Sequence, residues 1–212
     1  MRSMSPIILG LILCLGGCVT GHIEEPKFNL LSKDGDFELR AYESRIVAET
    51  IVKGDFSDAP SDGFRRLADY IFGNNTKQTK IAMTAPVAQE KSEKIAMTAP
   101  VGQESLTDTN GKGAWRITFT MPSAYTMQDI PTPNNKEVTL RELDPEVFAA
   151  VRFSGLNRKS SVEEKTRQLR DWIKAKGHKE KSKEPIYARY NPPWTPWFMR
   201  RHEILIAVDP SN

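Results

Sequence analysis

Two short β-rich runs, residues 37–42 (FELRAY) and 45–52 (RIVAETIV), follow one another with only Glu43-Ser44 between them. Strand-like runs that close together predict an antiparallel hairpin. The period then changes. Phe64, Leu67, Ala68, Ile71 and Phe72 fall at i, i+3, i+4, i+7 and i+8, one apolar stripe on a helix that opens near Ser61-Asp62 and stops at Gly73. A stripe of this kind has to pack on a sheet. Further on, Trp115, Ile117, Phe119 and Met121 alternate with Arg116, Thr118 and Thr120, a half-buried strand behind an Asn110-Gly111 turn.

After a proline-rich connection over residues 122–135 the same order returns. Residues 138–143 and 146–153 form another strand pair around Asp144-Pro145. Ser161-Val-Glu-Glu164 reads as a capping box opening a helix whose Val162, Leu169, Trp172 and Ile173 face inward, with Gly177 as its stop. Residues 186–190 and 203–208 complete the set. Strand, strand, helix, strand, strand occurs twice. This is an α+β pattern with an antiparallel sheet and helices covering one face of it. The regular strand and helix alternation of a parallel βαβ fold is absent.

One phrase is duplicated. KIAMTAPV stands at residues 80–87 and again at 94–101, two copies too short for a solenoid and consistent with a doubled strand. In each copy Ile and Met share a strand face, and the proline marks an edge or an end. Met83 and Met97 are therefore architecture or, being polarizable, contacts for an aromatic ligand.

The amino terminus carries a different message. Arg2 precedes an apolar run from Ile7 to Leu15, too short to span a bilayer but suited to a secretory leader. Leu15-Gly16-Gly17-Cys18 resembles the lipobox at which bacterial lipoproteins are cut and acylated; a plain signal peptide is the alternative. The expected organisation is a signal peptide over 1–17, a lipid-anchored linker over 18–33 and a domain over 34–209. Cleavage removes Cys14 and leaves Cys18 as the single cysteine, so no internal disulfide forms. Several acyl chains hold a protein firmly where one would bind marginally. The expected location is the cell envelope, and Val19 after Cys18, where inner-membrane lipoproteins have Asp, resembles sorting to the outer membrane of a host that has one.

Composition narrows the function. With 39% hydrophobic residues, 27% charged residues and 30 Lys+Arg against 27 Asp+Glu, the chain is globular and shows no electrostatic footprint for nucleic acid. The spacing of its two cysteines and three histidines fits no zinc pattern. No nucleophile elbow, zincin helix, phosphate loop or dinucleotide turn occurs, so no catalytic residue is assigned.

Several separated phrases in a fixed order carry a resemblance: the doubled IAMTAPV, Met121-Pro-Ser-Ala-Tyr125 with Pro131-Thr-Pro-Asn134, Val151-Arg-Phe-Ser-Gly155, Ala188-Arg-Tyr-Asn-Pro-Pro-Trp-Thr195 and Phe198-Met-Arg-Arg-His-Glu203. Together they resemble the SOUL/haem-binding-protein family over about residues 27 to 209. The resemblance implies two pseudo-symmetric halves in a distorted antiparallel β-barrel with two helices packed on it, similar to gyrase-inhibitor-like domains. It also implies noncovalent binding of haem or a related tetrapyrrole, the cofactor and small-molecule partner expected here. Two other readings stay open: a lipoprotein using the same fold for another apolar ligand or a protein partner, and a metal-removing enzyme.

A haem site needs an apolar slot, basic groups at its rim and, optionally, an iron ligand. Phe64, Leu67, Ala68 and Ile71, with Met83, Met97 or Met121 beneath, are candidates for the slot, and Arg65 and Arg66 for the propionates; the alternative is that this stripe is core. The axial ligand is open. Cys-x-x-Cys-His is absent, which excludes covalent c-type attachment. His22 lies in the linker and His178 in a charge run. His202 stands where the family more often has Asn; it reads as a surface histidine, with iron ligation or pH sensing as the alternative. Trp194, Trp197 and Phe198, set between prolines, are expected to form a rigid lid over one barrel end.

Overall fold

The computed structural model describes residues 23–77, 92–106, 113–156 and 158–210. The first copy of the duplicated phrase, with Met83, lies outside the described residues, as do Cys18 and His22. In chain order the elements are β1 (Phe28–Asp34), β2 (Phe37–Tyr42), β3 (Arg45–Lys53), α1 (Ala59–Ile71), β4 (Asn75–Thr76), β5 (Val101–Leu106) and β6 (Ala114–Thr120). They continue as β7 (Thr132–Pro133), β8 (Thr139–Leu143), β9 (Glu146–Phe153), α2 (Lys159–Ala175), β10 (Lys179–Glu180), β11 (Ile186–Arg189), a 3-10 turn (Trp197–Met199) and β12 (His202–Asp209).

The large antiparallel sheet runs β1-β2-β9-β12-β11-β5-β6-β3-β8, with β10 added to β12. This order has a pseudo-twofold axis between β5 and β11: β2, β9, β12 and β11 on one side match β8, β3, β6 and β5 on the other. The first strand of each half therefore pairs in the opposite half, β2 with β9 and β8 with β3. The expected hairpins are absent, since β2 does not pair with β3, nor β8 with β9. Glu43-Ser44 lacks the Gly or Asn-Gly that a two-residue hairpin turn requires, and the link carries the chain across the molecule instead. The sheet does not close into a barrel, because β1 and β8 remain as its edges. β1 extends the folded region into the segment expected to be linker.

Both helices cover one face. α1 supplies Leu67, Tyr70 and Ile71 to a cluster with Ile46, Ala48, Val52, Ile117 and Phe119, and α2 supplies Val162, Leu169, Trp172 and Ile173 to one with Ala149, Val151, Ile204 and Ile206. Tyr187 of the second cluster is in register with Gln103, which shares its strand face with Val101 against the first. The two helices are thus on the same side. On the opposite face Tyr42, Phe148, Ala150, Ala188, Leu205 and Ala207 are buried, with no helix over them among the described residues.

The helix starts differ from the sequence reading. α1 begins at Ala59, with Pro60 in its first turn, where a missing N–H costs nothing. α2 begins at Lys159 because the Ser161 and Val162 amides already donate to the Arg158 carbonyl, at 3.1 Å each. No side chain caps it, so Ser161 is inside the first turn and the capping box is not formed.

Candidate functional site

A cavity of about 470 Å³ opens at the end of the sheet where β2 hands over to β3 and where β6 and β8 terminate. One wall is the segment Glu24–Lys27, another the link at Glu43–Ile46, and a third the loop Met121–Gln128. Ile46, Met121, Tyr125 and Met127 make its apolar lining. The walls are tied together through the backbone: the Ala99 amide donates to the Glu24 carbonyl at 2.9 Å and the Met121 amide to the Ile46 carbonyl at 2.8 Å. The Glu24 carboxylate accepts the Ser123 amide at 2.9 Å, and Ser123 holds its pKa below the usual range. The volume falls within the roughly 300–1,000 Å³ of small-molecule sites.

A smaller crevice of about 100 Å³ lies on the helix-free face between the two halves. The cavities adjoin at Pro26, Arg45 and Thr120, which line both. Arg45 is set apart from its neighbours by its charge balance. Arg116 is neutralised by Glu104 at 2.7 Å, Arg141 by Glu49 at 2.8 Å, and Arg201 by Glu25. The Arg45 guanidinium stacks 4.9 Å from the Tyr42 ring centroid and 5.8 Å from that of Phe148. It donates to the Glu43 carbonyl at 3.4 Å, and no carboxylate lies within 4 Å of it among the described residues. Burial pulls its pKa down, opposed at longer range by Tyr42 and Glu146. A partly desolvated cation without a counter-ion is costly, and an incoming carboxylate would relieve that cost.

Beneath the crevice lies a closed polar network. Glu203, 2% exposed, accepts from Arg40 at 2.7 and 3.3 Å through both oxygens and from the Tyr190 hydroxyl at 2.7 Å. Arg40 also donates to Glu38 at 2.7 Å. Lys33 pairs with the other Glu38 oxygen at 2.9 Å, so two cations face two carboxylates and the group fixes β2 to β12 across β9.

The model for the SOUL heme-binding protein family matches residues 23–207. The chain belongs to the SOUL family. It is 28% identical over 189 residues to Heme-binding protein 1 of Xenopus laevis, covering 87% of this chain and 92% of the relative. Among solved structures it is similar to the EcmrR C-terminal domain (TM-score 0.58, 12% identity, 82% of this chain and 98% of that one). It is also similar to a hydrolase from Listeria innocua (TM-score 0.53, 10% identity, 84% and 94%). At these identities the structures show a shared fold.

In this SOUL chain Phe64, Leu67, Ala68 and Ile71, expected to form a slot under α1, line neither of these two cavities. Leu67 is fully buried, Ala68 nearly so, and the seam is tight: a Cβ on Gly63 would stand 2.4 Å from Ile117 Cγ1. The stripe is core, the alternative the sequence already offered. Phe64 is partly exposed and packs at 61° and 5.4 Å against Phe119. Arg65 is paired with Asp62, and Arg66 with Glu137 at 3.1 Å. Met97 is partly exposed and lines neither cavity, whereas Met121 does line the larger one.

His202 is not a surface histidine; it is 4% exposed. Its Nε2 lies 3.2 Å from the Gly155 carbonyl, which can only accept, so Nε2 carries the proton. Nδ1 then accepts from the Tyr187 hydroxyl at 2.9 Å. Both ring nitrogens are occupied, and an iron could use one only by breaking a buried hydrogen bond. The Trp194, Trp197 and Phe198 side chains are mostly exposed and line neither cavity.

Sequence reasoning missed Arg45 and the Arg40–Glu203 pair. Alternation gave no signal for them: Arg40 falls with Glu38 on the positions opposite Phe37, Leu39 and Ala41, and Arg45 and Glu203 stand at the first positions of their runs.

Proposed function

We propose that this SOUL-family protein binds haem or a related tetrapyrrole noncovalently in the 470 Å³ cavity, and that acyl chains on Cys18 hold it at the cell envelope. The observation that carries the binding reading is Arg45, an arginine with no carboxylate within 4 Å among the described residues, on the wall of a cavity of mixed polar and apolar lining. Haem is an apolar macrocycle bearing two carboxylates and an iron. Ile46, Met121, Tyr125 and Met127 offer the apolar surface, and Arg45 with Lys27 the propionate contacts. Tyr125 and the two methionines are the residues of ligating type on its walls, whereas His202 is committed elsewhere. The family match and the heme-binding relative support the ligand class.

The test is a spectral titration of the full chain with haem and with metal-free protoporphyrin. Both are expected to saturate at one equivalent. Arg45→Ala should weaken both by about tenfold, the worth of one charge-assisted hydrogen bond, while Met97→Leu and His202→Ala leave the affinity unchanged. No spectral change with either pigment, or an Arg45→Ala protein that binds as before, overturns the reading. The anchor has its own measurement: labelled palmitate is expected to enter the wild-type protein and not Cys18→Ser.

A further inference from the structure

The loop between β11 and β12 exposes four large apolar side chains within six residues. Trp194 is 82% exposed, and Trp197, Phe198 and Met199 are each more than half exposed. The loop is nevertheless built. Arg200 donates to the carbonyls of Thr195 and Pro193 at 2.7 and 2.5 Å, the Gly155 amide donates to the Trp197 carbonyl at 3.2 Å, and Trp197 meets Phe198 edge-on at 5.6 Å. Ordered and exposed apolar side chains of this number mark a contact surface. Leu156, itself 45% exposed, extends the patch, and the exposed Arg158 and Lys159 stand two and three positions further along the chain. The acids nearby are engaged, Glu25 by Arg201 and Glu163 by Lys159 at 3.8 Å.

The position of the N-terminal segment says what covers the patch. Arg201, two residues from Met199, grips Glu25, and Cys18 is seven residues upstream of Glu25. Seven extended residues reach at most about 25 Å, on a globular body roughly 40 Å across. An acyl chain on Cys18 is therefore held at the end of the molecule that carries the aromatic loop. Tryptophan favours the membrane interface, and basic neighbours favour anionic headgroups.

We infer that the Trp194–Met199 loop seats in the interfacial layer of the bilayer that holds the Cys18 anchor, a second contact that fixes the orientation of the domain; this rests on the anchor reading proposed above. Because Glu25 both lines the large cavity and grips Arg201, that orientation brings the cavity next to the bilayer, where an apolar ligand partitions.

The test uses the full chain, wild-type and Cys18→Ser, with vesicles of phosphatidylethanolamine and phosphatidylglycerol that carry a brominated lipid. Both proteins are expected to show tryptophan quenching, and the unanchored one to float with the vesicles. Trp194→Ala/Trp197→Ala/Phe198→Ala should lose at least about tenfold in partition and show no quenching of its remaining Trp115 and Trp172. Trp194→Ala alone, at a position too exposed to disturb folding, should reduce partition about threefold. Quenching absent from both proteins, or a triple variant that floats as well as its parent, overturns the inference. Palmitate incorporation without quenching leaves the anchor standing and the loop contact refuted; quenching without incorporation does the reverse. A photo-cross-linker at position 194 that captures an envelope protein, with no quenching by lipid, assigns the patch to a protein and overturns the bilayer.

Discussion

The His202 imidazole is neutral because its surroundings leave no place for a second proton. The proton on Nε2 goes to the Gly155 carbonyl, and Nδ1 is filled by the Tyr187 hydroxyl. Burial holds the pKa below the ordinary value, with Arg189 and Arg200 adding in the same direction and the Gly155 carbonyl opposing. The folded state therefore binds fewer protons than the unfolded chain wherever unfolded histidine, with a pKa near 6.5, is titrating. The stabilisation is fully present above about pH 6.5 and is lost as pH falls below that value through the folded pKa, at about 1.4 kcal/mol for each unit of difference. The depressed carboxylates, Glu24 and Glu38 among them, lose theirs only at lower pH. Urea midpoints measured from about pH 8 down to about pH 5 should fall for the wild type, and the fall should flatten in His202→Asn. An equal fall in both proteins would place the proton elsewhere.

At the level of elements, the approach of α1 to the sheet depends on one missing side chain. Gly63 faces Ile117, and a Cβ there would stand 2.4 Å from Cγ1 and 2.7 Å from Cβ. Both atoms belong to a fully buried residue in the middle of β6, so neither can step aside. Gly63→Ala gains about 1 kcal/mol of helix propensity and loses about 1–3 kcal/mol to overpacking. A net loss of up to about 2 kcal/mol is expected, read as a lower urea midpoint at unchanged slope. The helices themselves were legible in the sequence, because the stripe Phe64, Leu67, Ala68, Ile71 and the Gly73 stop are local signals. The strands were legible too, through alternation in residues such as Trp115, Ile117 and Phe119. Their partners were not, since pairing of β2 with β9 joins residues more than a hundred positions apart and Glu43-Ser44 carries no turn chemistry to say where the chain goes. The site was hidden for the same reason: Arg45 lies beside Pro26, Thr120 and Phe148 only once those pairings exist.

On the scale of the whole molecule, the exchange of β2 and β8 makes the two halves inseparable. Each half contributes an outer strand to the other, and the two inner strands β5 and β11 join along the axis. The Arg40–Glu203 pair adds a buried ionic link between a strand of the first half and the last strand of the second. Removing either half would leave β3 or β9 without a partner on one side, exposing a row of unpaired backbone groups. The internal repeat therefore does not predict two foldable units, even though each half carries its own helix and its own apolar cluster. Native-state hydrogen exchange should find the amides of β3 and β6 opening with the same free energy as those of β9 and β12, the signature of one cooperative unit. Gly63→Ala supplies the perturbation. Its damage is confined to the α1 side, yet protection in β9 and β12 is expected to drop by the same amount, up to about 2 kcal/mol, as in β3 and β6. If the second half kept its protection while the first lost it, the exchanged strands would be a packing detail and not the bond that makes the molecule one.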